Sequence, residues 1–275
     1  MVETKDRLIS LDVFRGLTMA CMILVENPGN WTIYGPLRHA RWGMVGEDGL
    51  PVHESITPTD LIMPFFLFIV GVSAVFALWR YKEDAASHGA AVRKIARRSL
   101  VLFGLGIAFY AWPSLLDALL YGGDFSIQVV GVLQRIALVY FAAAIIFLKC
   151  SPRAIFWGAL AALFVYWGLL LIPVPGYPDP QFIRQYNTPG NVPSCFPEWV
   201  DAHVLGFARP EGIVSTLPSI VTGLIGVLTG ILLKTGTNQR DVLRRMLIYG
   251  AALLLAGYAW STVFPIIKDL WTSSY

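Results

Sequence analysis

The chain has 275 residues, 56% of them hydrophobic and only 14% charged, with a formal net charge of +3 and a mean hydropathy of +0.60. A soluble domain carries about 25% charged residues, so this composition excludes an ordinary soluble enzyme and points to an integral membrane protein. The small positive balance is a topological signature of such proteins, and no nucleic-acid partner is expected from it.

The first span, Leu8–Val25, contains Asp12 and Arg15. Three residues apart, they share a face near the N-terminal end of a helix. No small-x-small site follows, so this span reads as a retained helix and not as a cleaved signal peptide. A polar loop from Glu26 to Asp60 comes next, and it carries Asn27, Arg38, His39, Arg41, Trp42, His53 and Glu54. Further apolar spans follow at Leu61–Trp79, Ser99–Pro113 (beginning near Ile95), Val129–Leu148, Ile155–Ile172, Ile213–Leu233 and Met246–Phe264. Most approach the roughly 20 residues that a helix needs to cross hydrocarbon. They are continuously apolar, whereas barrel strands alternate. The expected fold is therefore an all-α membrane protein, a multipass helical bundle with about seven transmembrane helices in a single domain spanning residues 1–275.

A second long loop, 173–212, opens with Pro173-Val174-Pro175-Gly176-Tyr177-Pro178, which cannot continue a helix. Gly226 and Gly230 are four apart in the sixth span, a spacing that lets two helices approach closely as a packing face. The oligomeric state, a homo-oligomer included, is left open by the sequence. The final stretch, Lys268–Tyr275, reads as the start of another helix, so the chain is expected to lack C-terminal helices. Cys21, Cys150 and Cys195 do not have the spacing of a zinc site, and neither a metal nor an internal disulfide is expected.

Charge placement gives an orientation. Lys5, Arg7, Arg80, Lys82, Arg93, Lys94, Arg97, Arg98, Lys149, Arg153, Lys234, Arg240, Arg244 and Arg245 fall on one side of the spans. Only Arg38, Arg41, Arg184, Arg209 and Lys268 fall on the other. The positive-inside rule places the N-terminus in the cytoplasm and the loops 26–60 and 173–212 outside. Short loops and the absence of an expected disulfide suit a bacterial inner membrane.

Two places invite chemistry. Gln134 and Arg135 lie about one and a half turns into the fourth span, where an unpaired charge costs roughly 2.5–3.5 kcal/mol, so Arg135 should face the bundle interior and a cavity. His39, in the outer loop, is a natural general base near neutral pH. His88 and His203 read as surface residues. A transporter with Arg135 and Asp60 along its path is the alternative, but such folds show matched halves, and the sequence has no internal repeat.

The segments "RLISLDVFRG" (7–16), "MILVENPGNW" (22–31), "YGPLRHARW" (34–42) and "TPTDLIMPFFLFIVGVS" (57–73) occur in that order. They are followed by "GVLQRIALVYF" (131–141), "LLIPVPGYP" (170–178) and "PEGIVSTLPSI" (210–220). The ordered series resembles the heparan-alpha-glucosaminide N-acetyltransferase family. That resemblance implies an acyltransferase embedded in membrane lipid, with acetyl-CoA as cytoplasmic co-substrate and an amino sugar or glycan as outer acceptor. Carried over by position, its catalytic residues fall on His39, Asn27 and Asp60. Arg135, Gln134 and Arg15 would then serve the acetyl-CoA. The chain departs from the pattern in three ways. An extra stretch, "GMVGEDGLPVHESI" (43–56), brings His53 as a rival to His39. Arg209 stands where the family has an aspartate. Family members continue with further helices beyond the position of Tyr275.

Overall fold

The structure is a computed structural model, and it describes residues 8–26, 37–40, 42–45, 51–53, 56–123, 125, 127, 129–175, 195–206, 212–268 and 270–275. Among these are eight α-helices: α1 (Ile9–Glu26), α2 (Ile62–Glu83), α3 (His88–Tyr121), α4 (Val132–Lys149), α5 (Pro152–Leu170), α6 (Phe196–Leu205), α7 (Thr216–Thr235) and α8 (Gln239–Ser261). A small antiparallel hairpin, β1 (Trp42–Val45) and β2 (Pro51–His53), pairs Trp42 with His53 inside the first polar loop. Six helices, α2, α3, α4, α5, α7 and α8, are long and apolar enough to cross a membrane. The protein is thus an all-α multipass membrane protein. The first expected span forms α1, an 18-residue helix that carries Asp12, Arg15 and Glu26 and stands outside those six.

The helix boundaries follow from local chemistry. The third span is much longer than its apolar stretch, because α3 runs for 34 residues and contains Pro113. At 1.5 Å per residue that is about 51 Å, well beyond a ~30 Å hydrocarbon core. The basic run from Arg93 to Arg98 is its helical extension into the polar zone. Pro152 starts α5 at its first turn, where Ser151 accepts from the Ala154 N–H. Lys82 of α2 donates to the carbonyls of Phe147 and Cys150, closing off the C-terminus of α4.

The bundle is centred on α2 and α7, which approach until backbones touch. A Cβ on Gly71 would stand 2.0 Å from the Gly223 carbonyl oxygen, and one on Gly226 would stand 2.2 Å from that of Phe68. Gly230 faces Val72 and Val75 in the same seam. The Gly226/Gly230 spacing is therefore filled within the chain, by α2. Around it Ala74, Val75, Leu78, Ile95, Ala143, Phe147 and Val227 form an apolar core. By contrast, α8 has no buried residue, and α1 buries only Thr18 and Val25.

The last residues differ from the helix expected there. After α8 the chain turns back and packs Phe264, Ile267, Leu270 and Trp271 against Tyr166 and Leu170 of α5 and the top of the bundle. Side chains add to its backbone turns: the Ile267 N–H donates to Thr272 Oγ1 at 3.0 Å, and Ser273 Oγ donates to the Leu163 carbonyl at 2.8 Å. The Tyr166 hydroxyl donates to the Leu270 carbonyl. Pro265, which has no N–H, and Trp271, at φ 51°, are both unsuited to a continuing helix.

Candidate active site

Asp60 lies in the 3-10 turn Pro58–Leu61 that opens α2. Thr57 and Asp60 form a capping box: the Thr57 N–H donates to Asp60 Oδ2 at 2.9 Å, and Thr57 Oγ1 lies 2.9 Å from the same oxygen. Thr57 Oγ1 also reaches the Arg38 carbonyl at 2.8 Å, and the Ala40 N–H donates to Asp60 Oδ2 at 3.1 Å. These contacts fasten the segment around His39 to the start of α2. They also leave the other carboxylate oxygen for chemistry. Asp60 Oδ1 is 2.7 Å from His39 Nδ1 and 3.3 Å from Lys268 Nζ. The Asp60 side chain is fully buried while that of His39 is 51% exposed. One partner of the pair is fixed and the other opens outward.

The pair borders a cavity of about 350 Å³ whose polar lining includes His39, Asp60, Arg135, Lys268 and Tyr275. Met22, Val25, Phe66 and Trp271 supply an apolar wall. That volume is at the small end for a ligand site. Arg135 is 3% exposed. Its Nη2 donates to Ser215 Oγ at 2.5 Å and to the Gly212 carbonyl at 3.4 Å, and its guanidinium stands 5.2 Å from the Trp271 ring centroid. The buried cation is thus held by the turn that leads into α7 and by the returning C-terminal segment.

The other expected residues fall elsewhere. Gln134 is buried, but its amide packs against Gly106 and Gly131, on the α3 side of α4, and it does not line the cavity. Arg15 pairs with Asp12 at 3.3 Å and donates to Ser73 Oγ at 2.8 Å in the α1–α2 seam. It lies 11 residues before Glu26, about 16 Å down the helix from the cavity's rim. Asn27 lies outside the described residues, as do Arg41 and Glu54; His53 is placed only as the last residue of β2.

Sequence reasoning missed Lys268, Trp271 and Tyr275, which the returning segment brings to the site; the Tyr275 hydroxyl donates to the Asp60 carbonyl. Lys268 left a signal, as one of few cations on the less basic side of the spans. Reasoning also missed a second acidic cluster. Glu198 and Asp201, one turn apart on α6, are both 2% exposed. Asp201 Oδ1 accepts from the Ile213 N–H at 2.9 Å, and a Cβ on Gly212 would stand 1.7 Å from Asp201 Oδ2. Burial pushes the Asp201 carboxyl up to about 6, with Glu198 adding to the shift and the Ile213 N–H and Arg135 opposing it. Gly212 links this cluster to the cavity, because its carbonyl accepts from Arg135.

The chain is similar to the human heparan-alpha-glucosaminide N-acetyltransferase, 28% identical over 320 aligned positions that cover 98% of this chain and 46% of the relative. The mouse protein of the same name is 26% identical over 329 positions, covering 99% of this chain and 47% of the relative. This similarity supports a distant family relationship. The chain spans about half the length of the curated relatives it matches. No family model matches it.

Proposed function

We propose that the protein is a membrane-embedded acetyltransferase that takes an acetyl group from acetyl-CoA on the cytoplasmic side and delivers it to an amino sugar or glycan outside. The observation that carries this reading is the His39–Asp60 pair at the mouth of a cavity that also contains Arg135. Asp60 engages Nδ1, so Nε2 is left as the basic nitrogen, the arrangement in which a carboxylate fixes the tautomer of a general base.

In the proposed reaction the acceptor amine attacks the thioester carbon while His39 Nε2 takes its proton. A C–N bond forms, the C–S bond breaks, and coenzyme A leaves as a thiolate that recovers a proton from the imidazolium. Arg135 and Lys268 are cations beside the space where negative charge develops on the thioester oxygen. Asn27 is assigned a donor role at the same oxygen. Arg15, in the α1–α2 seam, is assigned to the path by which the acyl donor reaches the cavity, and Gln134 to the packing that holds Arg135 in place. The dense basic residues at the opposite end of the bundle support a cytoplasmic side for that end and for the N-terminus. A bacterial inner membrane fits this arrangement, with lipid and a periplasmic glycan as partners.

The test supplies radiolabelled acetyl-CoA to the inner face of oriented membrane vesicles and follows label onto glucosamine outside. Wild-type protein should transfer label, and His39→Ala should not. Transfer by His39→Ala at the wild-type rate would overturn the assignment. Glucosamine uptake without acetylation would favour a transporter.

A further inference from the structure

A second cavity, about 480 Å³, lies between α3 and α4, away from the His39 site. Its walls are Arg93, Arg97, Ser99, Leu100 and Phe103 from α3 and Leu138 and Phe141 from α4. Three features set it apart from an ordinary seam between helices.

The first is its graded chemistry. Arg93 and Arg97 are one turn apart and exposed, so they share one helix face at the end of the groove. Neither has an ion-pair partner among the described residues. Beyond them the lining is apolar, with Leu100 73% and Leu138 43% exposed toward the hydrocarbon. From Arg93 to Phe103 the helix rises about 15 Å, half of a ~30 Å core and hence one leaflet. The second is the closed top. There α3 and α4 meet at Gly106, where a Cβ would stand 2.6 Å from Gln134 Oε1. The third is Ser99. It is 8% exposed, its Oγ has no hydrogen-bond partner, and it lines the cavity two residues past Arg97. A buried hydroxyl without a partner is costly, and a change of side-chain rotamer would turn this one, now closed off, toward an acceptor in the groove.

From this we infer that the α3–α4 groove is a binding site for one anionic phospholipid. Its phosphate sits between Arg93 and Arg97, a glycerol ester carbonyl accepts from Ser99, and one acyl chain lies along Leu100, Phe103, Leu138 and Phe141. Paired arginines suit a phosphate held in place. Basic pockets between transmembrane helices are where anionic headgroups bind. A soluble phosphate would use the arginines but leave the apolar length and Ser99 unmatched. The site is independent of the proposed acetyl transfer.

Native mass spectrometry of the detergent-solubilised chain tests this with dioleoyl phosphatidylglycerol and dioleoyl phosphatidylcholine. One phosphatidylglycerol should bind about tenfold or more tightly than phosphatidylcholine, from roughly two arginine contacts. Arg93→Gln/Arg97→Gln should abolish that preference. Leu138→Trp, at an exposed position, should fill the groove and lower occupancy by both lipids. Arg244→Gln/Arg245→Gln, on α8, should change nothing. Equal binding of the two lipids by the wild type, or an unchanged preference in the Arg93/Arg97 variant, would overturn the proposal. Displacement of the lipid by inorganic phosphate or by coenzyme A at matching concentrations would also overturn it, reassigning the arginines to a soluble phosphate.

Discussion

One helix, α2, serves two regions built on opposite rules. The turn that opens it holds Asp60, a buried carboxylate surrounded by donors from its own cap, Thr57, and from two other segments. Eleven residues later Gly71 has no side chain at all and touches the backbone of α7. The seam gains stability from close apolar contact and tolerates almost no added atom. The outer end keeps polar groups out of water, at a cost that each hydrogen bond must offset. Stability and chemistry are thus separated along a single element, and substitutions in the two regions should fail differently.

The largest effect is expected in the seam. Gly71→Leu forces a side chain into a backbone 2.0 Å from its Cβ, and the Gly223 carbonyl cannot rotate aside as a side chain would. Overpacking of this kind costs about 1–3 kcal/mol or more, and here both backbones must separate. The expected result is loss of the monodisperse peak in size-exclusion chromatography. A folded Gly71→Leu protein would show that α2 and α7 are not the rigid centre.

His39→Ala should do the reverse. Its side chain is half exposed and holds nothing in the core, so folded protein should be recovered at wild-type levels while acetyl transfer falls by about 10²–10⁴. A comparable loss in His53→Ala, with His39→Ala active, would move the chemistry to the inserted hairpin. Asp60→Asn lies between the regions. It removes the charge beside His39 and Lys268 and turns an amide N–H toward one of two positions that now face only donors. Both a lower melting temperature and roughly 10²-fold slower transfer are expected. An effect on activity alone would show that the capping box does not depend on the charge.

The contrast also explains what could be read from the sequence. Spans and class were legible because hydrocarbon demands long apolar helices. The Glu26–Asp60 loop was legible as polar, and within it His39 and Asp60 meet although 21 residues separate them. Gln134 and Arg135 were read as one unit, yet consecutive helix residues point about 100° apart. One faces Gly106 and the other faces the cavity. Lys268, Trp271 and Tyr275 were hidden because the returning segment is held by isolated turns and side chain to backbone bonds, which leave no periodic pattern. The α6 acids were hidden for a related reason: their burial depends on the distant Gly212 having no side chain.

Those acids give the smallest and most specific prediction. The Asp201 carboxyl is raised from an ordinary 3.8 to about 6 by burial. An acid whose folded pKa lies above its unfolded value binds its proton more tightly when folded. Its contribution to stability is therefore fully present below about pH 4, declines as pH rises through 6, and is absent above. In thermal unfolding of the detergent-solubilised protein, the wild type should lose melting temperature between pH 4 and pH 6 relative to Asp201→Asn. That variant keeps an acceptor for the Ile213 N–H but has no proton to lose. Parallel pH profiles for the two proteins would place Asp201 as an ordinary ionised carboxylate, stabilised by Arg135 more than burial opposes it.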